Sequence, residues 1–167
     1  MSGPEKWIGY LEHATTELLG VYAANTGKGG CTIFAEIIRR QTRRNLQGVP
    51  WCATFVFAAL GCPRCLGPPH PGTRVLARRM RRRGLWRGPD YVPRPGDIIF
   101  CSNAATGRIG HCGIVEAVNG PVVVSIDGNT VDPSGRFKPE EGGAVARRAR
   151  EMTDPVIAGY GAVAGLY

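Results

Sequence analysis

The stretch Asn45–Pro63, NLQGVPWCATFVFAALGCP, decides how this chain reads. Gly48 and Pro50 break any pattern just before an unbroken apolar run from Trp51 to Leu60, and Gly61 ends it. A run of that length, opened by a proline and closed by a glycine, predicts a buried helix with Cys52 in its first turn. A cysteine there stands beside unpaired backbone N–H groups and the positive end of the helix dipole, which favour a thiolate. Taken alone, a buried cysteine is more often a small hydrophobe than a nucleophile. Its surroundings in the rest of the sequence therefore carry the weight.

Upstream, Trp7, Ile8, Leu11, Leu18 and Leu19 are spaced to predict a helix from Lys6 to about Val21. CTIFAEIIRR, Cys31–Arg40, places Ile33, Phe34, Ile37 and Ile38 opposite Glu36, Arg39 and Arg40, the pattern of a second helix. NTGKGG, from Asn25, reads as a turn between them. Downstream, TRVLARRMRRRGLW, Thr73–Trp86, predicts a short arginine-rich amphipathic helix stopped by Gly84. From there on the pattern is strand and turn: PRPGDIIFCS, IGHCGIVEAV, VVVSIDGN, AVARRAR and VIAGYGAV. Helices come first and sheet second, so the expected class is α+β, with N-terminal helices packed on a C-terminal antiparallel β-sheet.

The chain has 167 residues, 43% of them hydrophobic and 20% charged, without a low-complexity tract. That length suits one compact domain over 1–167, because two independent cores would each sit near the lower size limit. With 24 glycines and 13 prolines the chain is cut into short elements. MSGPEKWIGYLEH offers no basic start followed by an apolar run, and no stretch approaches the length of a membrane span. The expectation is a protein made in the cytoplasm without a signal peptide, reaching any external substrate by lysis or by a non-classical secretion route. A monomer is expected.

Formal charge is +8, from 21 Lys and Arg against 13 Asp and Glu. Such a surface favours polyanions. The cluster Arg74, Arg78, Arg79, Arg81, Arg82 and Arg83 is read either as a solvated helix face or as a patch for anionic wall polymers. Nucleic acid is the weaker candidate, since no reading helix or aromatic interleaving accompanies the arginines.

The six cysteines, Cys31, Cys52, Cys62, Cys65, Cys101 and Cys112, are expected to be free thiols. Cys62 and Cys65 form a lone C-x-x-C; even with His70 nearby, no second ligand pair stands at zinc spacing, so no metal or other cofactor is expected. Cys31, Cys101 and Cys112 read as core.

A nucleophilic Cys52 needs a base, and the chain has three histidines. His13 belongs to the first expected helix and His70 to the loop GPPHPG. His111 opens a strand between Gly110 and Gly113, which leave space around the ring, and it is the best candidate. The imidazole in turn needs an orienting group, and Asp127 and Asn129 in SIDGNT are both placed to serve. Strand alternation gives Asp127 and Asn129 one face, as it does His111 and Gly113. A two-residue loop at Asn119–Gly120 would pair Asp127 with Cys112 and separate it from His111. Pro121 disfavours that tight pairing, so an odd-length loop or a β-bulge is expected between the two strands.

PWCATFV, PGDIIF, GHCGIVEAV, SIDGNT and VIAGYGAV, in that order, resemble the CHAP family of cysteine amidohydrolases and peptidases, over roughly residues 45–163. The resemblance implies a papain-like α+β fold with the nucleophile at a helix N-terminus and the histidine on an antiparallel sheet. It matches the nucleophile to Cys52, the histidine to His111, the acidic third member to Asp127 and the motif asparagine to Asn129. Gln47, five residues before Cys52, is the candidate oxyanion donor beside the Cys52 backbone N–H, and Trp51 and Gly110 are candidates for the substrate groove. Members of the family cleave amide bonds of peptidoglycan, at the muramoyl–alanine bond or within the peptides, and a few act on glutathione conjugates. The implied partner is peptidoglycan, and the implied chemistry is acyl transfer through a thioester.

Overall fold

The computed structural model describes residues 3–17, 19, 27, 29–131 and 143–167. Its regular helices are α1 (Ile33–Thr42), α2 (Cys52–Ala59) and α3 (Thr73–Arg82). Its strands are β1 (Trp86–Arg87), β2 (Ile98–Ser102), β3 (Ile109–Asn119), β4 (Val122–Thr130), β5 (Ala144–Glu151) and β6 (Ile157–Gly161). Every strand pairing is antiparallel, in one sheet ordered β1-β6-β2-β3-β4-β5. The arrangement is α+β, helices followed by sheet.

The two sides of the sheet are filled by alternation. Ile98, Phe100, Cys112, Ile114 and Ile126 face the helices and merge with Phe34, Ile38, Phe55, Val56 and Met80 in the main core. Ile99, Cys101, Val115, Val123, Ile157 and Tyr160 form a smaller apolar cluster of their own. Helix α2 is buried through its first six residues, which explains its lack of an amphipathic pattern: it is enclosed on every side. Each fully buried phenylalanine on it contributes about 2–3 kcal/mol of apolar burial.

The N-terminal segment departs from the sequence expectation. In place of a helix from Lys6, a 3-10 turn spans Pro4–Trp7, Gly9 takes φ +88°, and Leu11 and His13 form isolated β-bridges to Ala144 and Cys31. Tertiary packing overrides the helical spacing. Trp7 and Tyr10 meet Phe34 edge-on at 5.1 and 5.0 Å, and the Tyr10 hydroxyl accepts the Ile33 N–H at 2.8 Å. Leu18, Val21 and, in NTGKGG, Asn25, Thr26 and Lys28 lie outside the described residues. The two-residue strand β1 has no pattern long enough to register in the sequence.

One irregularity positions the site. At the β3–β4 hairpin, Asn119 pairs with Val122, Val118 with Val123 and Ala117 with Val124, so the turn is the tight Gly120–Pro121. The register then shifts around Glu116, and beyond it Val115 pairs with Ser125, Ile114 with Ile126 and Gly113 with Asp127. Continued without that bulge, the hairpin would set Asp127 opposite Ile114. The expected bulge is present, although the loop itself is even, and it turns Asp127 to the face that holds Gly113 and His111.

A second anchor is Asp97 of the PGDIIF segment, which is buried. Its Oδ1 accepts the N–H groups of Val163 and Ala164, each at 2.9 Å, and its Oδ2 accepts the Tyr91 hydroxyl and the Arg94 N–H. This carboxylate ties the end of the chain to the start of β2.

Candidate active site

Cys52 is the first residue of α2 and only 3% exposed. The N-cap is Trp51, which makes no side-chain cap, so the first-turn N–H groups of α2 have no side chain covering them. Thr73, the first residue of α3, brings its Oγ1 to 3.2 Å from the Cys52 sulfur, and α3 also lacks a side-chain cap at Gly72. Two helix N-termini thus converge on one sulfur, and both dipoles favour negative charge there.

His111 lies near the start of β3 with its side chain 26% exposed. Its Nε2 is 2.9 Å from Asp127 Oδ2, which leaves Nδ1 as the ring nitrogen free to serve the thiol. Asp127 is fully buried and three groups hold it: His111, the Arg150 Nη2 at 2.8 Å on Oδ2, and the Ser125 hydroxyl, which donates to Oδ1 at 2.6 Å. Arg150 also donates from Nη1 to Ser125 Oγ at 3.0 Å, so β4 and β5 clamp the carboxylate together.

The electrostatics follow from these contacts. The Cys52 thiol is held well below its ordinary range, chiefly by a hydrogen bond from Cys112; burial opposes this, while His111 and Thr73 reinforce it. Cys112, wholly buried beside that negative sulfur, is pushed far up and stays a neutral donor. Burial works against a charged His111, but the hydrogen bonds and charges of Asp127 and Cys52 raise it to about 9. Burial likewise opposes an ionised Asp127, yet His111, Arg150 and Ser125 hold it down to about 2. The arrangement stores a thiolate beside an imidazolium, with a carboxylate behind the ring.

Of the residues singled out in the sequence, Cys52, His111 and Asp127 come together. Asp127, not Asn129, meets the imidazole; Asn129 sits at φ +56° where β4 shifts register against β5. Gly110 borders the same groove as Cys52. Gly113 has a different use from the one expected: a Cβ there would lie 1.9 Å from Asp127 Oδ1, so its bareness makes room for the carboxylate.

Two assignments need correction. Gln47 is not brought to the site, because its amide grips the Thr32 backbone, accepting the N–H at 2.7 Å and donating to the C=O at 2.9 Å. Trp51 does not line the groove. It is 1% exposed, stacked on Phe34, with its indole N–H given to Glu12. Trp86 packs against Phe100 with Arg81 over its ring.

Thr73, Cys112, Ser125 and Arg150 were not found from the sequence. The alternation of β4 puts Ser125 on the Asp127 face and was the one available signal; the others reach the site across elements.

The arginine cluster is divided. Arg79 and Arg83 bind the carbonyls of Pro68, Arg64 and Cys65, whereas Arg74, Arg78 and Arg82 are exposed with no partner among the described residues. Cys62 takes φ +53° and Cys65 lies in a 3-10 turn. Among the described residues, no three or more His, Cys, Asp or Glu are grouped to hold a metal ion, and no helix is long and apolar enough to cross a membrane.

The model of the CHAP domain matches residues 22–129, well over half of the chain and inclusive of Cys52, His111 and Asp127. The chain belongs to the CHAP domain family. CHAP domains are typically hydrolases, and membership points to a peptidoglycan-related amidase or peptidase. The three helices and antiparallel sheet agree with a CHAP fold. Among curated proteins none matches the chain. One solved structure, "The crystal structure of Ly7917", is similar over 48% of this chain and 32% of that chain, at 18% identity and a TM-score of 0.33.

Proposed function

We propose that this CHAP protein is a cysteine hydrolase that cuts amide bonds of bacterial peptidoglycan, with Cys52 as nucleophile, His111 as acid and base, and Asp127 as the group that orients the imidazole. The observation that carries this reading is the His111 Nε2 to Asp127 Oδ2 contact of 2.9 Å in a strand pair whose bulge brings the two residues to one face, with the Cys52 thiol held low by its neighbours. A structural cysteine would need neither device.

The geometry suits acyl transfer. The Cys52 thiolate attacks the amide carbonyl, and the oxygen that gains charge would be met by the uncapped first turn of α2, whose Cys52 N–H is a backbone donor. His111, protonated at neutral pH by its raised pKa, gives its proton to the departing amine. The resulting thioester is cleaved by water, from which His111 takes a proton. Asp127 keeps Nε2 engaged through both steps, so that Nδ1 faces the chemistry.

The test is incubation of purified peptidoglycan with the native protein and with Cys52→Ala, followed by mass analysis of soluble fragments. New amino termini released only by the native protein are the expected result and would identify the bond. Equal release by the variant, or none from several wall types, would overturn the reading.

A further inference from the structure

The groove that reaches Cys52 is walled by the approach to α2, the segment from His70 to Val75, and the connection between β2 and β3 up to Gly110, and it encloses about 660 Å³. Among the described residues its charged side chains are Arg74 and Arg108, and no carboxylate lines it. Outside the groove, Arg39 and Arg40 pair with Glu36 and Arg147 with Glu116, while Arg78 and Arg82 are exposed without a side-chain partner among the described residues. Arg74 and Arg108 have no ion-pair or hydrogen-bond partner for their guanidinium groups among the described residues, so their donors are open to a ligand.

Both are carried on fixed backbone. Arg74 is the second residue of α3, next to Thr73, whose hydroxyl touches the Cys52 sulfur. Arg108 closes a loop that Asn103 organises: Asn103 Oδ1 accepts the N–H groups of Ala105 and Thr106 at 3.0 and 3.1 Å, and the Asn103 N–H donates to the Arg108 carbonyl at 2.9 Å. Two guanidinium groups with two helix N-termini and no opposing carboxylate give the groove one sign of potential. Confinement by the low-dielectric walls strengthens it.

We infer that Arg74 and Arg108 form an anion subsite of the Cys52 groove, and that the amide substrate carries a free carboxylate beside its scissile bond. The inference rests on Cys52 being the nucleophile of an amide hydrolase, and it adds a condition that this role does not require. Amidation of that carboxylate would then convert a good substrate into a poor one, because the guanidinium forks would lose their charged partner.

A test independent of any wall substrate compares alkylation of Cys52 by iodoacetate and by iodoacetamide. In both cases the thiolate displaces iodide and one S–C bond forms, so the reagents differ chiefly in charge. The ratio of the two rates, read by mass analysis of the Cys52 peptide and divided by the ratio for free cysteine, reports the potential of the groove. In the native protein at low salt we expect iodoacetate to be favoured on the order of tenfold, with the preference shrinking as salt is added. Arg74→Glu with Arg108→Glu should reverse the normalised ratio, and an unchanged far-ultraviolet circular dichroism spectrum checks that the variant is folded. A normalised ratio of one in the native protein, or the same ratio in the double variant, would overturn the inference.

A second arm needs no reactive thiol. Backbone amide NMR shifts of Gly72 and Gly110 in Cys52→Ala are followed on titration with N-acetyl-L-alanyl-D-glutamate and with its diamide. A response to the acid and not to the diamide supports the subsite, and an equal response, or none to either, sinks it. Failure of iodoacetamide to react at Cys52 would count against the nucleophile, whereas the NMR titration judges the groove charge by itself.

Discussion

Asp127 Oδ2 lies between two cations, 2.9 Å from His111 Nε2 and 2.8 Å from Arg150 Nη2. Because both share one oxygen of a fully buried carboxylate, Arg150 supports Asp127 while drawing on the same lone pairs that steady His111. Removing the arginine with Arg150→Met would leave a buried carboxylate with one charged partner fewer. The expected cost is about 3 kcal/mol in denaturant unfolding. Activity should also fall, since Ser125 and Asp127 lose the donor that fixes them. Arg150→Lys keeps the charge and loses the fork, so it should recover stability more fully than turnover. An Arg150→Met protein as stable and active as the native one would show that the clamp is ornamental.

Gly113 sets a steric condition on the same carboxylate. The 1.9 Å between an added Cβ and Asp127 Oδ1 cannot be accommodated without moving the carboxylate, which is backed by Arg150 and Ser125. Gly113→Ala is therefore expected to lower hydrolytic activity by about a hundredfold or more, since misplacement by an ångström has that scale of effect on catalysis. At Gly110 a Cβ would meet nothing closer than 3.8 Å, so Gly110→Ala should keep the native melting temperature. Measured side by side, the two melts and activities separate crowding at the carboxylate from glycine loss in general.

The pH profile follows from the paired charges. Cys52 is ionised from well below the ordinary thiol range, so the rate of its reaction with iodoacetamide should already be on its plateau at neutral pH. In the proposed reaction His111 must carry its proton to release the amine, and its pKa of about 9 places the alkaline limb of turnover there: activity should be lost as pH rises through that value. Cys112 is the leading cause of the depressed thiol. Cys112→Ala should move the acid limb of the alkylation profile upward, and Cys112→Ser, which keeps a donor, should move it less. Superimposable profiles for the three proteins would remove Cys112 from the account.

Much of this site was open to sequence reasoning because it depends on local signals. Pro50 and Gly61 bracket α2, and strand alternation with Pro121 predicted an odd-length loop or a bulge, of which the structure has the bulge, at Glu116. What escaped was set by contacts between distant segments. Trp7 and Leu11 have helical spacing, yet packing of Trp7 and Tyr10 on Phe34 and the positive φ of Gly9 give a different path. Gln47 is near Cys52 in sequence, but Thr32, fifteen residues away, offers its amide both a donor and an acceptor. Arg150 carries no local signal in AVARRAR that sets it apart from Arg147 and Arg148. Only the β4–β5 register, which pairs Val123 with Arg150, turns it toward Ser125 and Asp127, while its neighbours stay exposed.

Helix α2 packs tightly on β4 at Gly128, where a Cβ would stand 2.5 Å from Phe55 Cβ and 2.8 Å from Trp51 Cζ3. Neither neighbour can yield easily. Phe55 is wholly buried, and Trp51 is fixed between Phe34 and the Glu12 carboxylate. Gly128→Ala should therefore push the start of α2 off the sheet and carry Cys52 away from His111, costing roughly 1–3 kcal/mol as an overpacked core. The sulfur would also lose part of its partner set, a loss read as a shift of the acid limb of its iodoacetamide profile to higher pH. Trimming the opposing ring with Phe55→Leu should restore part of both losses in the double variant, because the two changes act on one contact. Additive losses would instead mean that the spacing between α2 and β4 does not set the thiol's environment.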